Sequence, residues 1–323
     1  MATTHSATTE KRRYNQWVAN ETMEDFALRF TARRARHWSY ARVANTAIGS
    51  ISFLALEAIG GAITLTYGFD IAITAIMLVG VVLFLTALPI SYYAARYGVD
   101  IDLLTRGAGF GYIGSTITSL IYATFTFIFF ALEAAILAMA VEFTLGIPLV
   151  VGYLLSALVV IPLVINGFTK ISVFQAWTQP VWVVLHITPF ILLAVVGYDL
   201  EGWASFSGST VEPGTQTGRL IMLGAAAGVV FSLIAQVGEQ VDFLRFLPEP
   251  RTRAERWKWW GALIAAGPGW SVLGVLKMLA GSYLVTLVLA AGVPAADAAD
   301  PTQMYYVAFS QVISSPWVVL LLT

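Results

Sequence analysis

Long apolar segments recur along this chain from about residue 46 onward, and three of them contain a glutamate: Glu57, Glu133 and Glu239. Each segment approaches or exceeds the ~20 residues that a helix needs to cross a bilayer. A carboxylate at the bilayer centre costs about 2.5–3.5 kcal/mol on insertion scales. We therefore expect these carboxylates to face inward, toward a substrate or ion path between helices.

The composition supports a membrane protein. Apolar residues make up 58% of the 323 residues and charged residues 11%, whereas soluble domains average about 25% charged residues. The formal net charge of -1 gives no signal for a nucleic-acid partner, and the lack of cysteine excludes disulfides and thiolate metal sites. No phosphate-binding glycine loop, metal-ligand cluster or nucleophile triad is present in the sequence. We expect no enzyme activity in this segment and no bound cofactor.

Segment length predicts seven spans and the beginning of an eighth. The predicted spans are residues 46–67, 71–94, 112–141, 147–165, 173–197, 220–245 and 259–291, and the eighth begins near Pro316. The apolar run after Pro316 is too short to cross a bilayer, so we expect a fragment of a longer protein. Residues 1–45 are expected to form a cytoplasmic tail with amphipathic character.

Lysine and arginine fall on alternate loops between the spans. Cytoplasmic loops of membrane proteins carry an excess of these residues, which predicts a cytoplasmic N-terminus in a multi-pass protein of a bacterial-type inner (plasma) membrane. The predicted cytoplasmic side carries Arg36, Arg42, Arg96, Arg106, Lys170, Arg245, Arg251, Arg253, Arg256 and Lys258. The intervening loops contain mainly acidic residues.

Two motifs resemble those of the nucleobase–cation symporter-1 family, the permeases for purines, cytosine, uracil, allantoin and hydantoins. The loop after the second span contains Arg96-Tyr97-Gly98 and then Arg106 to Gly111, with one more small residue before Phe110 than the family has. The sixth span ends with the second motif, in which Leu244 replaces the family's hydroxyl residue. Its matching residues are Asp242, Phe243, Arg245 and Phe246.

This resemblance implies a LeuT-type transporter fold, in which two five-helix repeats have inverted topology. Residues 46–197 would form the first repeat, residues 198–219 an extracytoplasmic loop, and residues 220–323 the incomplete beginning of the second. The fold would be truncated after about seven spans and the start of an eighth. The implied mechanism is alternating access, with sodium or protons as the coupling ion and a small nitrogenous ligand at mid-membrane. Such a fragment alone is expected not to transport.

The resemblance also implies a ligand site on the third span. Phe129 stands where the family has a tryptophan that stacks on the planar substrate, and Glu133 stands where it has a hydrogen-bonding glutamine. An ionised Glu133 would only accept hydrogen bonds and would suit a donor-rich or cationic ligand. A protonated Glu133 could instead serve as the coupling site, and the third alternative is packing against another helix.

The first span contains small residues at which a LeuT-type helix could break. Ser50 and Ser52 lie there, and unwound backbone at this position could form half of a sodium site. Glu57 follows, at a position where the family often has a polar substrate contact. The glycines of this span, among them Gly60 and Gly61, fit close helix packing equally well.

The later spans add further polar candidates. Gln236 and Glu239 share a helix face in the sixth span and are expected to contact the ligand. Lys277 lies deep in the seventh span, so we expect a carboxylate partner for it, either Glu57, Glu133 or Glu239. The pair would have either a structural role or a role in ion coupling. His186, in the fifth span, is interpreted as a polar residue satisfied by its neighbours.

A sensory role is the alternative to transport. Some bacterial hybrid histidine kinases use a transporter-like membrane domain as their input module. The differences from the family at Phe129, Glu133 and Leu233 are compatible with a changed ligand or task. In that case a kinase region would follow the C-terminus of this segment.

Overall fold

The structure is a computed structural model, and it describes residues 30–165, 167–210 and 214–323. Over these ranges the chain forms helices and connecting turns, with no strand. The helices are α1 (Tyr40–Gly49), α2 (Ala55–Tyr67), α3 (Phe69–Tyr97), α4 (Ile101–Thr105), α5 (Gly111–Leu145), α6 (Leu149–Ile165), α7 (Gly167–Val196), α8 (Leu200–Ala204), α9 (Gln216–Phe231), α10 (Gln236–Leu244), α11 (Arg253–Ala266), α12 (Gly269–Ala290), α13 (Pro301–Ser310) and α14 (Pro316–Leu322). Most of the predicted N-terminal tail lies outside the described residues.

Five helical stretches in the described ranges are long and apolar enough to cross a membrane. They are Phe69–Tyr97, Ile101–Leu145, Gly167–Val196, Gln216–Leu244 and Gly269–Ala290. α6 is apolar but has only 17 residues, and the first predicted span is divided between α1 and α2. The chain is an all-α membrane protein, as its composition predicted.

The outward faces of α5, α6 and α7 are apolar. Phe127, Leu154 and Trp177 are 72%, 62% and 80% exposed, respectively. Such surfaces suit hydrocarbon, where a helix satisfies its own backbone hydrogen bonds and presents apolar side chains to the surroundings. The polar side chains discussed below lie on the inner faces of the same bundle.

The first predicted span is interrupted between Gly49 and Ala55. Residues 50–54 form turns rather than regular helix, and Gly49 packs so closely on α7 that an added Cβ would lie 2.7 Å from Gln175 Cδ. The sixth span changes its winding too, because Ser232–Ala235 forms a 3₁₀ turn between α9 and α10. Ile51 and Leu233, from the two irregular segments, belong to one buried apolar cluster.

α2 and α12 pack backbone to backbone. A Cβ at Gly281 would lie 2.0 Å from the Glu57 carbonyl oxygen, and a Cβ at Gly60 would lie 2.0 Å from the Met278 carbonyl oxygen. Small residues permit such an approach between membrane helices. The Thr64 hydroxyl donates to the Ser282 hydroxyl at 2.7 Å across this contact. These contacts fix the position of α2 along α12, and therefore which side chains of the two helices face each other.

The seventh predicted span, residues 259–291, is wrong in extent. Two helices, α11 and α12, cover this region, separated by Gly267 and Pro268. Proline has no N–H to continue the α11 hydrogen-bond ladder. Gly267 also lies against α3, where a Cβ would be 2.4 Å from Ser91 Oγ. The membrane-spanning part is α12 alone.

α13 lies in a region where no helix was predicted. Asp300 caps its N-terminus by accepting the Thr302 N–H at 2.9 Å, and Pro301 occupies the first turn, where its missing N–H costs nothing. Most of α13 is buried, with contacts to α12 and α7. This short helix therefore packs against both of those spans.

Arg36 ties the start of the described chain to the end of α3. Its Nε donates to the Thr31 carbonyl at 3.0 Å and its Nη1 to the Ala95 carbonyl at 2.9 Å. A longer contact of 3.5 Å reaches the Leu247 carbonyl after α10. Burial lowers the pKa of the Arg36 guanidinium, which still remains charged because arginine titrates so far above neutrality.

Candidate functional site

Polar side chains of α7 and α10 converge on the break between α1 and α2. Gln240 Nε2 donates to Ser50 Oγ at 3.0 Å, and the Ser52 hydroxyl donates to Gln179 Oε1 at 2.9 Å. Gln179 Nε2 and Gln240 Oε1 are buried and have no hydrogen-bond partner among the described residues. One free donor and one free acceptor therefore remain beside the irregular backbone of the first span.

Gln236 and Glu239 form a pair on α10, on the shared face that their spacing predicted. Gln236 Nε2 donates to Glu239 Oε2 at 2.7 Å, and Glu239 lies beside the Ser50 hydroxyl. Gln236 is buried, whereas Glu239 is half-buried. Both residues thus border the break at Ser50, but each already has a protein partner.

Glu133 lies at the N-terminus of α2. Its Oε1 accepts the Ala55 N–H at 2.8 Å and its Oε2 accepts the Leu54 N–H at 3.3 Å. The first N–H groups of a helix have no partner within the helix, and the helix dipole favours a negative charge there. The Glu133 carboxylate supplies acceptors for these N–H groups and a negative charge at the helix end. It therefore fixes the start of α2, which is the second half of the first span.

Phe129 lies one turn before Glu133 and packs within an aromatic group. Its ring centroid is 5.5 Å from that of Phe53, in an edge-on arrangement, and 4.4 Å from that of Phe125. The ring is partly buried against the apolar cluster that includes Ile51 and Leu233. Phe129 and Glu133 therefore both border the helix break.

Glu57 is fully buried within the bundle and is the centre of a second polar cluster. Its Oε1 lies 2.9 Å from Lys277 Nζ and 2.9 Å from His186 Nε2, and it accepts from the Tyr305 hydroxyl at 3.4 Å. Glu57 Oε2 has no hydrogen-bond partner among the described residues. Lys277 thus has the carboxylate partner that its depth predicted, and the partner is Glu57.

Trp182 completes the surroundings of Lys277. The Lys277 ammonium lies 4.6 Å from the centroid of the Trp182 ring, a separation that permits a cation–π attraction. The same indole packs against the His186 ring, with centroids 4.1 Å apart. The cation is therefore held between a carboxylate, an imidazole and an aromatic face.

A cavity of about 710 Å³ opens beside this second cluster. Glu57, His186, Lys277 and Tyr305 form its polar part, and the rest is mostly apolar and aromatic. The cavity continues between α7 and α12 as far as the segment after α7. At that end it is lined by Tyr198, Leu200, Trp203 and Tyr283.

The sequence analysis missed several members of both clusters, although one pattern could have revealed them. Gln175, Gln179, Trp182 and His186 recur at spacings of four, three and four residues, which is one face of a helix. Gln179 contacts the break and His186 contacts Glu57. This face of α7 follows the first span along its length. Tyr305 had no such signal, because it lies on a helix that was not predicted.

In the described ranges no group of three or more His, Asp or Glu residues could hold a metal ion. Ser50 and Ser52 lie at the predicted break, where both hydroxyls already have protein partners. Comparison of the chain with protein-family models, with curated proteins and with solved structures gives no match.

Proposed function

We propose that this chain is the membrane part of a cation-coupled carrier for small, planar nitrogenous compounds, similar to the nucleobase–cation symporters and built on a LeuT-type fold. The observation that carries the proposal is the break of the first span at residues 50–54, beside the 3₁₀ turn of the sixth span. Carriers of this class bind substrate and coupling ion at discontinuous helices near mid-membrane.

The polar groups at the break support a ligand with both hydrogen-bond donors and acceptors. Gln179 Nε2 can only donate and Gln240 Oε1 can only accept. Both atoms are buried without a partner in the described chain, and a buried polar atom that lacks a partner costs about 1–3 kcal/mol. A nucleobase or ureide offers both complementary groups on one edge. Phe129 lies close enough to the break to contact a planar ring.

Glu133 restricts the charge of the ligand. In carriers with broken helices the positive N-terminal end of a half-helix commonly attracts an anionic group of the substrate. Here the N-terminus of α2 is already occupied by the Glu133 carboxylate, which accepts two backbone N–H groups. A second anion would meet repulsion from Glu133. The proposed ligand is therefore uncharged or cationic at neutral pH.

Ligand-induced thermal stabilisation of the purified chain tests this proposal. Uracil, cytosine, hydantoin and allantoin are compared with orotate, which is uracil bearing a carboxylate. We expect at least one of the uncharged compounds to raise the melting temperature and orotate to have no effect. Stabilisation by orotate equal to that by uracil, or none by any uncharged compound, would contradict the proposal.

A matched pair of glutamine variants locates the binding site. Gln240→Leu removes the free acceptor at the break, and we expect it to abolish the ligand-induced shift. Gln311→Leu changes an exposed glutamine of the same chain and should leave the shift intact. Because this fragment alone is expected not to transport, uptake is measured in cells that express the full-length protein. Uptake of the stabilising compound there favours a carrier, whereas the sensory alternative predicts binding without uptake.

A further inference from the structure

Three polar atoms from three helices form a close triangle inside the bundle. Glu57 Oε1 on α2, His186 Nε2 on α7 and Lys277 Nζ on α12 are separated by 2.9, 2.9 and 2.8 Å. The Glu57 side chain is 0% exposed, and those of Lys277 and His186 are 7% and 14% exposed. Each of the three distances lies within hydrogen-bond range.

The hydrogen-bond capacity of His186 limits how this triangle can be satisfied. The ring also hydrogen-bonds the backbone of Trp182, one turn earlier on α7. Because Nε2 is directed at Glu57 and Lys277, that bond uses Nδ1, whose N–H donates to a carbonyl. In a neutral ring Nε2 then carries a lone pair and can only accept.

With a neutral His186, the triangle contains one repulsive side. Lys277 can donate one N–H to Glu57 and another to His186. The ionised Glu57 Oε1 and the bare His186 Nε2 are both acceptors, yet they lie 2.9 Å apart with no hydrogen between them. A proton added to Glu57 Oε1 turns this contact into a hydrogen bond and leaves the donation from Lys277 to Glu57 intact. A proton added to His186 Nε2 also bridges the two atoms, but it places a second donor 2.8 Å from Lys277 Nζ.

The net charge of the groups around His186 also favours the binding of one additional proton. The ionisable groups that face this region are Glu57 on α2, Glu133 on α5, Lys277 on α12 and Tyr305 on α13. With both glutamates ionised, Lys277 cationic, and Tyr305 and His186 neutral, the group carries one net negative charge. The N-terminus of α2 offsets part of the Glu133 charge, and the remaining negative charge is costly inside a membrane protein. One additional proton brings the group to zero.

The triangle borders the cavity between α7 and α12. His186 and Lys277 line this space of about 710 Å³, which continues to Tyr198 and Leu200 at the end of α7. A proton from cavity water can therefore bind between Glu57 and His186 and return by the same path. The step is a simple proton transfer, which leaves hydroxide in the solvent and needs no other reactant.

We propose that the gap between Glu57 Oε1 and His186 Nε2 is a reversible proton-binding site, with Lys277 holding the two acceptors together. As the site of the coupling ion, this assignment rests on the carrier function proposed above and makes that carrier proton-coupled. The site itself is measurable on the purified chain without any ligand or transport. Failure of the proton site and failure of the carrier function would therefore appear in different experiments.

Nitrogen NMR of His186 tests the proposal directly. The chain contains three histidines, so His5→Gln with His37→Gln leaves His186 as the only one in ¹⁵N-histidine-labelled protein. The Nε2 signal is recorded from about pH 5 to about pH 9, the range in which an unperturbed histidine changes charge. We expect one transition between bare and protonated Nε2, or between bare and hydrogen-bonded Nε2 when the proton resides on Glu57.

Two comparisons sharpen this experiment. Glu57→Gln removes the negative charge and the carboxylate that can take up the proton, and it should move the midpoint of the transition. Glu142→Gln, an exposed change on α5, should not. Replacing potassium by sodium at constant pH should leave the His186 signal unchanged. A signal that is constant over the whole pH range, or one that responds to sodium instead of pH, would overturn the proton site.

The pH dependence of thermal stability gives an independent measurement. We expect the melting temperature of the unaltered chain and of His37→Gln to vary with pH, since His37 is exposed. The melting temperature of His186→Gln should depend less strongly on pH than that of His37→Gln. Identical pH profiles for the two variants would count against the proposal, and if His186→Gln does not fold, the NMR experiment decides alone.

Discussion

Glu133 accepts the backbone N–H of Ala55 at 2.8 Å, so a side chain of the third span fixes the helix that restarts the first. This contact links residues that are 78 positions apart in the chain. It gives the carboxylate a structural partner inside the membrane, where an isolated charge would be costly. The break in the first span and the acid in the third are therefore parts of one arrangement.

Replacing Glu133 should destabilise the start of α2. Glu133→Ala leaves two N–H groups without their acceptor, and we expect the free energy of unfolding to fall by about 2 kcal/mol, the upper range for lost helix caps. Glu133→Gln retains one acceptor oxygen and should lose less. Denaturation in detergent measures both. Glu142→Ala is the control on the same helix because Glu142 is exposed; equal losses in Glu133→Ala and Glu142→Ala would refute the cap.

Removing the cation of the Glu57–Lys277 pair should cost more than removing the whole pair. Lys277→Met leaves Glu57 buried without its partner, a change that typically costs about 3–5 kcal/mol of folding free energy. Glu57→Gln combined with Lys277→Met removes both charges, and we expect it to recover more than half of that loss. Lys258→Met, at an exposed lysine, should be nearly neutral. A double variant no more stable than Lys277→Met would contradict this expectation.

The backbone contact between α2 and α12 predicts strict size selection at Gly281. In Gly281→Ala the new Cβ would lie 2.0 Å from the Glu57 carbonyl oxygen, so the helices must separate. Overpacking of this kind costs about 1–3 kcal/mol. Gly224→Ala is the matched control, since nothing lies within 4 Å of its Cβ, and it should be neutral or stabilising because alanine favours helix. Thermal melts should therefore show a lower melting temperature for Gly281→Ala and no decrease for Gly224→Ala, and a neutral Gly281→Ala would argue against this close approach.

Arg36 should not tolerate replacement by lysine. Its planar guanidinium donates to the carbonyls of Thr31 and Ala95 from two different nitrogens, a geometry that a single ammonium cannot reproduce. We expect Arg36→Lys to lower the free energy of unfolding by about 1–3 kcal/mol, the cost of an unsatisfied buried partner. Arg34→Lys, at an exposed position, is the control. If chemical denaturation shows the same stability for both variants, Arg36 does not act as a tether.

Several parts of the fold were predictable from local sequence. The span predicted at residues 71–94 is α3, Phe69–Tyr97, and the span predicted at 173–197 is contained almost entirely in α7. Apolar length alone determines such helices, because the hydrocarbon layer requires internal hydrogen bonding over its whole thickness. α13 was missed although Asp300 and Pro301 form a readable helix start. Its ten residues are too few to register as a span.

The candidate site was only partly predictable. The sequence identified Glu57, Glu133 and Lys277 as intramembrane ionisable residues that need inward positions. It did not show that Glu133 caps α2, or that Glu57 rather than Glu239 pairs with Lys277. It also gave His186 a minor role. These choices depend on which helices become neighbours, and no local pattern records that.

The amino-acid sequence by itself determined that the chain is a helical membrane protein, because apolar segment length is a local property that bilayer thickness converts directly into helices. The partners of the buried charges depend on how the helices pack against one another. Gly60 and Gly281 let α2 and α12 approach closely enough for Lys277 to reach Glu57, 220 residues earlier in the chain. Short-range electrostatic contacts require this spatial proximity, and helix packing alone provides it.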